Sequence, residues 1–379
     1  MDFNFTDEQK MLRDSARGFC EKMSPMGYVL EMEKSETGYT PELWNGMVEL
    51  GWMGLIIPEE YGGVGMGFLD LIVLLEEMGR MCVPGPFFST VVLGGYTLLA
   101  GGSDEQKNEY LPKVAAGELK LTLALTEPGM TKFDPAYVTV SSKADGDTYV
   151  IDGTKLFVSD ANVADYIITS ARTSGGPNDT AGVSLFLVDA KDPGITITPL
   201  STLGGDKQCE VVFKGVKVPK ANVIGAIDAG WAIIEKVMQY ASVGKCAEMV
   251  GGATKVLELV IDYAKQRVQF GKQIGTFQAV QHHCANMAIF LQGSKFITYK
   301  AAWLLDEGMP STRICAAAKA WVSEAYKKFV ILGHQVFAGV GFMVEHEMPM
   351  YSRRARAAEL AFGDATYYRK VVAQDLNIG

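Results

Sequence analysis

Arg267-Val-Gln-Phe-Gly-Lys-Gln-Ile-Gly-Thr-Phe-Gln278-Ala-Val-Gln281 lies between two stretches of helical period. Upstream, residues 230–265 can form one helix on the order of 50 Å long at ~1.5 Å per residue. Arg267 then stands where a positive charge favours a helix C-terminus. Downstream, Phe277, Val280, Cys284, Met287, Ala288 and Leu291 make an i, i+3, i+4 apolar stripe. Pro310-Ser311 separates a third helix, and residues 356–375 read as a fourth. Four long helices with partly apolar faces predict a bundle that continues across a subunit interface.

Working back toward the N-terminus, the period changes. Leu121-Thr122-Leu123-Ala124-Leu125 is a β-type run, followed by Tyr137–Val140, Tyr149–Ile151, Tyr166–Ile168, Val183–Val188, Ile195–Ile197 and Val211–Phe213. Asp145-Gly146-Asp147 and Asp152-Gly153 between them are turn signals. Short strands at this spacing, with no βαβ alternation, predict a compact antiparallel sheet or barrel. Before Gly117 the sequence is helical. Thr6-Asp7-Glu8 starts one helix, Leu69–Met78 is another, and Val83-Pro84-Gly85-Pro86 breaks the pattern. Ser103-Asp104-Glu105-Gln106 caps a short helix expected to end at Leu111-Pro112. The expected class is therefore α+β: an N-terminal helical domain (1–120), a central antiparallel, barrel-like β domain (121–228) and a C-terminal four-helix bundle (229–379).

Composition narrows the function. With 35 Lys+Arg against 44 Asp+Glu, the net charge of −9 argues against a nucleic-acid ligand. The six cysteines (Cys20, Cys82, Cys209, Cys246, Cys284, Cys315) never sit two or three apart, so they read as buried reduced thiols rather than a metal knuckle. His282-His283 point to different helix faces without a carboxylate at ligand spacing, and no metal is expected. No run approaches the ~20 apolar residues of a membrane span. Met1 leads straight into Asp2, Glu8 and an amphipathic pattern, so the expectation is a cytoplasmic protein without a signal peptide.

Several motifs fall in order along these regions: Asn108-Glu-Tyr-Leu-Pro112 with Gly117-Glu118, Thr126-Glu-Pro-Gly129, Gly153-Thr-Lys-Leu-Phe-Val-Ser159, the 267–281 segment, and Gln335-Val-Phe-Ala-Gly339-Val-Gly341. Together they resemble the acyl-CoA dehydrogenase family over the whole length. The resemblance implies FAD held without a dinucleotide fingerprint, and no G-x-G-x-x-G follows a strand here. It implies that Leu125, Thr126, Phe157 and Ser159 line the isoalloxazine, with the Ser159 hydroxyl near N5. It implies that Arg267 reaches across the dimer to the diphosphate, with Phe270, Ile274, Gln335 and Gly339 on the adenosine side. Read from the residues alone, Phe157 and Phe270 are equally core aromatics, and Ser159 beside Asp160 is equally a turn.

The family's chemistry removes a proton alpha to a thioester carbonyl while hydride passes from the beta carbon to the flavin, which requires a carboxylate base. The resemblance places that base near the C-terminus at Phe362, in Phe362-Gly363-Asp364, or on the first bundle helix at Ala241. Neither residue is a base. Asp364 could take the role or could cap the last helix; Glu359 or Glu248 could serve; or a second subunit supplies the base. Val83–Thr90 and Phe362–Ala365 resemble a subgroup acting on dicarboxyl- or ring-bearing acyl-CoAs, such as pimeloyl-CoA dehydrogenase small subunits and the paired dehydrogenases of steroid side-chain breakdown. Lys132, in a loop that departs from the family pattern, could meet a substrate carboxylate or a CoA phosphate, or simply be solvated. The expected partners are an acyl-CoA or enoyl-CoA, an electron-transfer flavoprotein or similar acceptor, and a homologous dehydrogenase subunit. Two further readings stay open: a non-catalytic half-site subunit that supports FAD for its partner, and a relative with an aspartate base on a non-CoA substrate, as in nitroalkane oxidases.

Overall fold

A computed structural model describes residues 4–378. The chain opens on α1 (Asp7–Met23), whose first turn is fixed by a reciprocal cap: the Thr6 hydroxyl accepts from the Gln9 N–H and the Gln9 side chain accepts from the Thr6 N–H. There follow α2 (Met26–Lys34), α3 (Pro41–Glu49) and α4 (Phe68–Arg80). The start of α4 is capped from a distance, because the Asp306 carboxylate accepts from the Phe68 and Leu69 N–H groups. After the Pro84-Gly85-Pro86 break comes a π-helical segment, Phe88–Gly95, and then α5 (Tyr96–Gly101) and α6 (Asp104–Ala115).

The central region holds β1 (Leu121–Ala124), β2 (Ser141–Asp145), β3 (Thr148–Ser159), β4 (Tyr166–Arg172), β5 (Val183–Asp189), β6 (Ile195–Leu200), β7 (Gln208–Pro219) and β8 (Val223–Ile224). The strand order is β6-β7-β3-β2-β4-β5-β8, with β1 against β4. Pairing is mainly antiparallel, but β1 and β2 both run parallel to β4. The β2–β3 hairpin intervenes between β1 and β4, and this long connection lets the chain re-enter in the same direction.

The last region is α7 (Gly230–Gln266), a small hairpin of β9 (Val268–Gln269) and β10 (Lys272–Gln273), α8 (Gln278–Asp306), α9 (Thr312–Phe337), α10 (Met348–Leu360) and α11 (Ala365–Asp375). One apolar cluster binds α1 to α4 onto α7 to α10, with Leu71, Leu75, Val243, Val250, Val322 and Phe329 fully buried in it. A second joins α6, β1 and the start of α7 through Leu111, Leu121, Ile234 and Val237. Among the described residues no helix is long and apolar enough to cross a membrane.

Three expectations are corrected. Tyr137–Val140 is not a strand: Val138 N–H goes to Pro177 O, and Thr139 and Val140 N–H go to the Glu127 carboxylate, so these donors are satisfied outside the ladder. The helix expected to end at Leu111-Pro112 runs on to Ala115 and stops only at Gly117, which is left-handed at φ 70°. The single helix expected over 356–375 is two, because Phe362 (φ 58°) and Gly363 (φ 104°) turn the chain between α10 and α11. A bundle of four helices thus becomes three long helices plus two short ones.

Candidate functional site

A cleft of about 150 Å³, open to solvent, lies between the end of α2 and the loop after it, the 78–89 segment, the end of β3, the loop before β7, α7, α9 and the end of α10. Its walls follow from local breaks in regular structure. The Pro-Gly-Pro turn swings Phe88 and Ser89 inward, and the left-handed turn at Phe362 brings that ring to face Phe88. The two rings stack at 5.7 Å between centroids with planes 15° apart. Lys245 on α7 lays its ammonium 4.2 Å over the Phe88 ring and pairs with Glu248.

The turn carrying Phe362 is held by a buried lysine. Lys319 on α9 is fully buried and donates to the carbonyls of Ala358, Glu359 and Gly363 and to the Ser323 hydroxyl. These are carbonyls of the end of α10 and the turn after it, where no helical partner exists. Burial pushes the Lys319 ammonium down to about 8. Tyr368 adds a bond from its hydroxyl to Phe362 O.

A second buried lysine braces the strand that leads into the cleft at Ser159. Lys155 on β3 and Glu127 after β1 are both fully buried, 2.6 Å apart. Glu127 also accepts from Thr139 and Val140 N–H, and Lys155 also donates to Ser170 and Leu125 O. Leu156 N–H donates to Thr126 O at 2.8 Å. The bond sets Thr126 against Leu156, on the strand that carries Phe157 and Ser159. The pairing of β3 with β7 shifts register between Lys155 and Val158, and Phe157 within that bulge has φ 53° and is 56% exposed.

Asp160, directly after this strand, was expected only as part of a turn. It lies in the cleft, accepts from the Ser89 hydroxyl at 2.7 Å and has φ 53°. Burial, partly offset by the Ser89 bond, pushes its carboxyl up to about 6. A carboxyl raised in the folded state binds more protons there than when unfolded, so stability from this group falls as pH rises from about 4 to about 6. Asp160→Asn, which can still accept from Ser89, is expected to be more stable than the parent at pH 7 by about 1–3 kcal/mol. That gap should close as pH falls through 6 toward 4 in urea unfolding; a constant gap would contradict the assignment.

The remaining expected residues divide. Arg267 and Ile274 flank the β9–β10 hairpin, the Ile274 N–H donating to Arg267 O, and the hairpin's turn has Phe270 at φ 53° and Gly271 at φ 77°. This geometry suits a two-residue hairpin turn of the primed type, strained for phenylalanine, and it leaves that ring 92% exposed. Gln335 and Gly339 lie at the same end of the bundle, where Tyr263 near the end of α7 meets Phe337 at the end of α9 at 4.8 Å. Arg267 is 22 residues beyond Lys245, roughly 33 Å along α7 at ~1.5 Å per residue. The structure therefore gathers the residues expected at a flavin into two groups at separate places in one chain.

Of the proposed bases, Asp364 caps α11, its carboxylate accepting from Tyr367 N–H at 2.8 Å. Glu359 pairs with Lys327 and Arg356. Glu248 lines the cleft, as do Phe362 and Asp160. Ala241 is fully buried, and Lys132 is exposed in the β1–β2 loop. Sequence reading missed Asp160, Lys319 and Arg354. A lysine amid Ala316-Ala-Ala-Lys319-Ala-Trp is the one signal among them, since a charge on so small-sided a helix face needs a partner.

Models of the acyl-CoA dehydrogenase N-terminal, middle and C-terminal domains match residues 6–118, 122–216 and 228–376. The chain is 32% identical over 383 residues to the probable acyl-CoA dehydrogenase YngJ of Bacillus subtilis, covering 99% of this chain and 100% of that one. It is 30% identical over 373 residues to the caffeyl-CoA reductase-Etf complex subunit CarC of Acetobacterium woodii, covering 97% and 98%. The solved structure of butyryl-CoA dehydrogenase from Megasphaera elsdenii superposes with a TM-score of 0.93 at 28% identity, covering all of both chains.

Proposed function

The chain belongs to the acyl-CoA dehydrogenase family, and from that premise we propose a FAD-dependent oxidoreductase acting on the CH–CH pair of an acyl-CoA or enoyl-CoA thioester, working with a related subunit. The separation of roughly 33 Å along α7 between Lys245 in the cleft and Arg267 calls for a second chain, and Phe362 and Ala241 at the base positions that the resemblance implies favour a related chain over a copy. A flavin resting on Phe157 and Ser159 of one chain meets an arginine of this kind only from another.

The residues fit the cofactor. Phe157 offers an exposed ring at a strained bulge, Leu125 an apolar contact, and Ser159 a hydroxyl at the cleft. At the far end Arg267 is exposed with no ion pair among the described residues, and its planar fork suits a diphosphate. A Cβ added to Gly339 would meet nothing within 4 Å in this chain, which leaves room for an approaching group. Bound FAD supplies the hydride chemistry at the beta carbon. An electron-transfer flavoprotein is the proposed acceptor or donor, in keeping with the Etf complex in the name of the Acetobacterium relative.

The proton step is what this chain lacks. At the position where the resemblance puts the base stands Phe362, whose ring stacks on Phe88, and Asp364 is engaged as a cap. Asp364→Asn is therefore expected to leave turnover of the assembled protein within about twofold, while Asp364→Ala loses about 1 kcal/mol of stability. A collapse of turnover in Asp364→Asn would make it the proton acceptor instead.

A second reading has one observation in its favour: Glu248 lines the cleft. Anaerobic mixing of the flavin-loaded chain with an acyl-CoA separates the two. No bleaching alone, and bleaching after the related subunit is added, is the expected result. Bleaching by the chain alone, abolished in Glu248→Gln, would replace the two-subunit reading with this one.

A further inference from the structure

Four carboxylates line the cleft, and three of them are engaged. Glu33 pairs with Arg353 and Arg354, Glu248 pairs with Lys245, and Asp206 accepts from the Thr202 hydroxyl and the Gln208 amide. Asp160 has no ion pair among the described residues, and the Ser89 hydroxyl is the side-chain donor it keeps. On an alternating strand the residue after Ser159 would face away from Ser159. Asp160 is instead left-handed, its N–H going to Lys207 O, and it lines the same cleft as Ser159. Strain of this kind in a non-glycine residue persists where the surrounding structure holds it, and it clusters at functional sites.

The groups that face this carboxyl pull both ways. Burial raises it most and Asp206 adds to that, while the Ser89 bond, Lys245 and Arg354 oppose, which leaves it at about 6. Tyr39 and Cys209 beside it are raised by burial and by Asp160 itself, so neither loses its proton in this range. Lys207 is turned to the Glu33 backbone carbonyl. A modest change of nearby charge therefore switches Asp160 near neutral pH.

We infer that Asp160 is a redox-linked proton site: its carboxylate takes up one proton from water when the flavin beside Ser159 is reduced, and returns it on reoxidation. This rests on the FAD reading above and adds to it the residue that balances charge. The acyl-CoA gives up two electrons and one proton as hydride, which leaves the cofactor one charge more negative. The proton on Asp160 offsets that charge. Ser159 and Asp160 have Cα atoms about 3.8 Å apart, and a unit charge within ~10 Å raises a carboxyl's proton affinity about tenfold or more.

The test is potentiometric titration of the FAD-loaded, fully assembled protein with dithionite, from about pH 5 to about pH 9, beside Asp160→Asn, whose amide oxygen still accepts from Ser89. Above about pH 6 the parent's potential should fall with pH about twice as steeply as the variant's, because two protons accompany two electrons instead of one. The gap should level off once the two reduction equilibria differ about tenfold or more. Ser89→Ala, which removes a bond favouring the carboxylate, should move the onset to higher pH. Parallel lines for parent and Asp160→Asn overturn the inference and leave the FAD reading standing. So does a Ser89→Ala onset at or below the parent's, which decides the matter if Asp160→Asn holds no flavin. A protein that binds no FAD in any assembly takes both down.

Discussion

Lys155→Met is expected to lower the unfolding free energy by about 3–5 kcal/mol, because it strands the Glu127 carboxylate without its cation. Both partners are fully buried. Burial lowers the Lys155 ammonium, and the neighbouring Glu127 works against that shift. The pair is therefore held by geometry: four donors converge on Glu127, from the Thr139 N–H and hydroxyl, the Val140 N–H and Lys155. Replacing Glu127 as well, in Lys155→Met/Glu127→Gln, removes the stranded charge and keeps an oxygen for the two backbone donors. The double variant should recover part of the loss, giving a coupling in a double-mutant cycle that separates charge from packing. Equal losses in single and double variants would mean that the pair contributes only shape. Because Lys155 also holds Leu125 O and lies on the strand that carries Phe157 and Ser159, the single variant should also release flavin on dilution.

Lys319→Met is expected to cost on the order of 3 kcal/mol, by leaving the carbonyls of Ala358, Glu359 and Gly363 without a donor. Its pH dependence is the sharper test. The ammonium is held at about 8 in the folded chain, below the ordinary lysine value near 10.4. The folded state then binds fewer protons than the unfolded one between those values, so raising the pH through that window favours folding. The advantage of the parent over Lys319→Met should widen by about 3 kcal/mol between pH 8 and pH 10.5. Other groups that titrate there are common to both proteins and drop out of the difference. A gap that narrows with rising pH would mean the lysine is stabilised as a cation. The turn it clamps carries Phe362, so the variant should also disorder the Phe88–Phe362 stack.

The elements were legible where sequence period is strong. Residues 230–265 declared a long helix, and α7 runs from Gly230 to Gln266. The Thr6 cap and the β-runs of 121–125, 166–168 and 183–188 were equally open to reading, since local chemistry decides them. What stayed hidden depends on partners far along the chain. Thr139 and Val140 look like strand residues until Glu127 takes their donors, and Asp306 caps a helix that begins 238 residues earlier.

The candidate site divides the same way. Phe157, Ser159, Arg267 and Phe270 stood out through the motifs around them. Lys155 and Glu127 lay inside quoted motifs, yet their burial as an ion pair cannot be read from residue type. Arg354 gave no signal, because its sharing of Glu33 with Arg353 joins segments more than 300 residues apart in the chain.

The account stands or falls on where Arg267 ends up once subunits and flavin are together. An experimental structure of the assembled, FAD-loaded protein should show the Arg267 guanidinium about 3 Å from the diphosphate oxygens of a flavin whose ring rests on Phe157 and Ser159 of the neighbouring subunit. An Arg267 facing solvent in that assembly, or a flavin whose ring and diphosphate are both held by one chain, would contradict it.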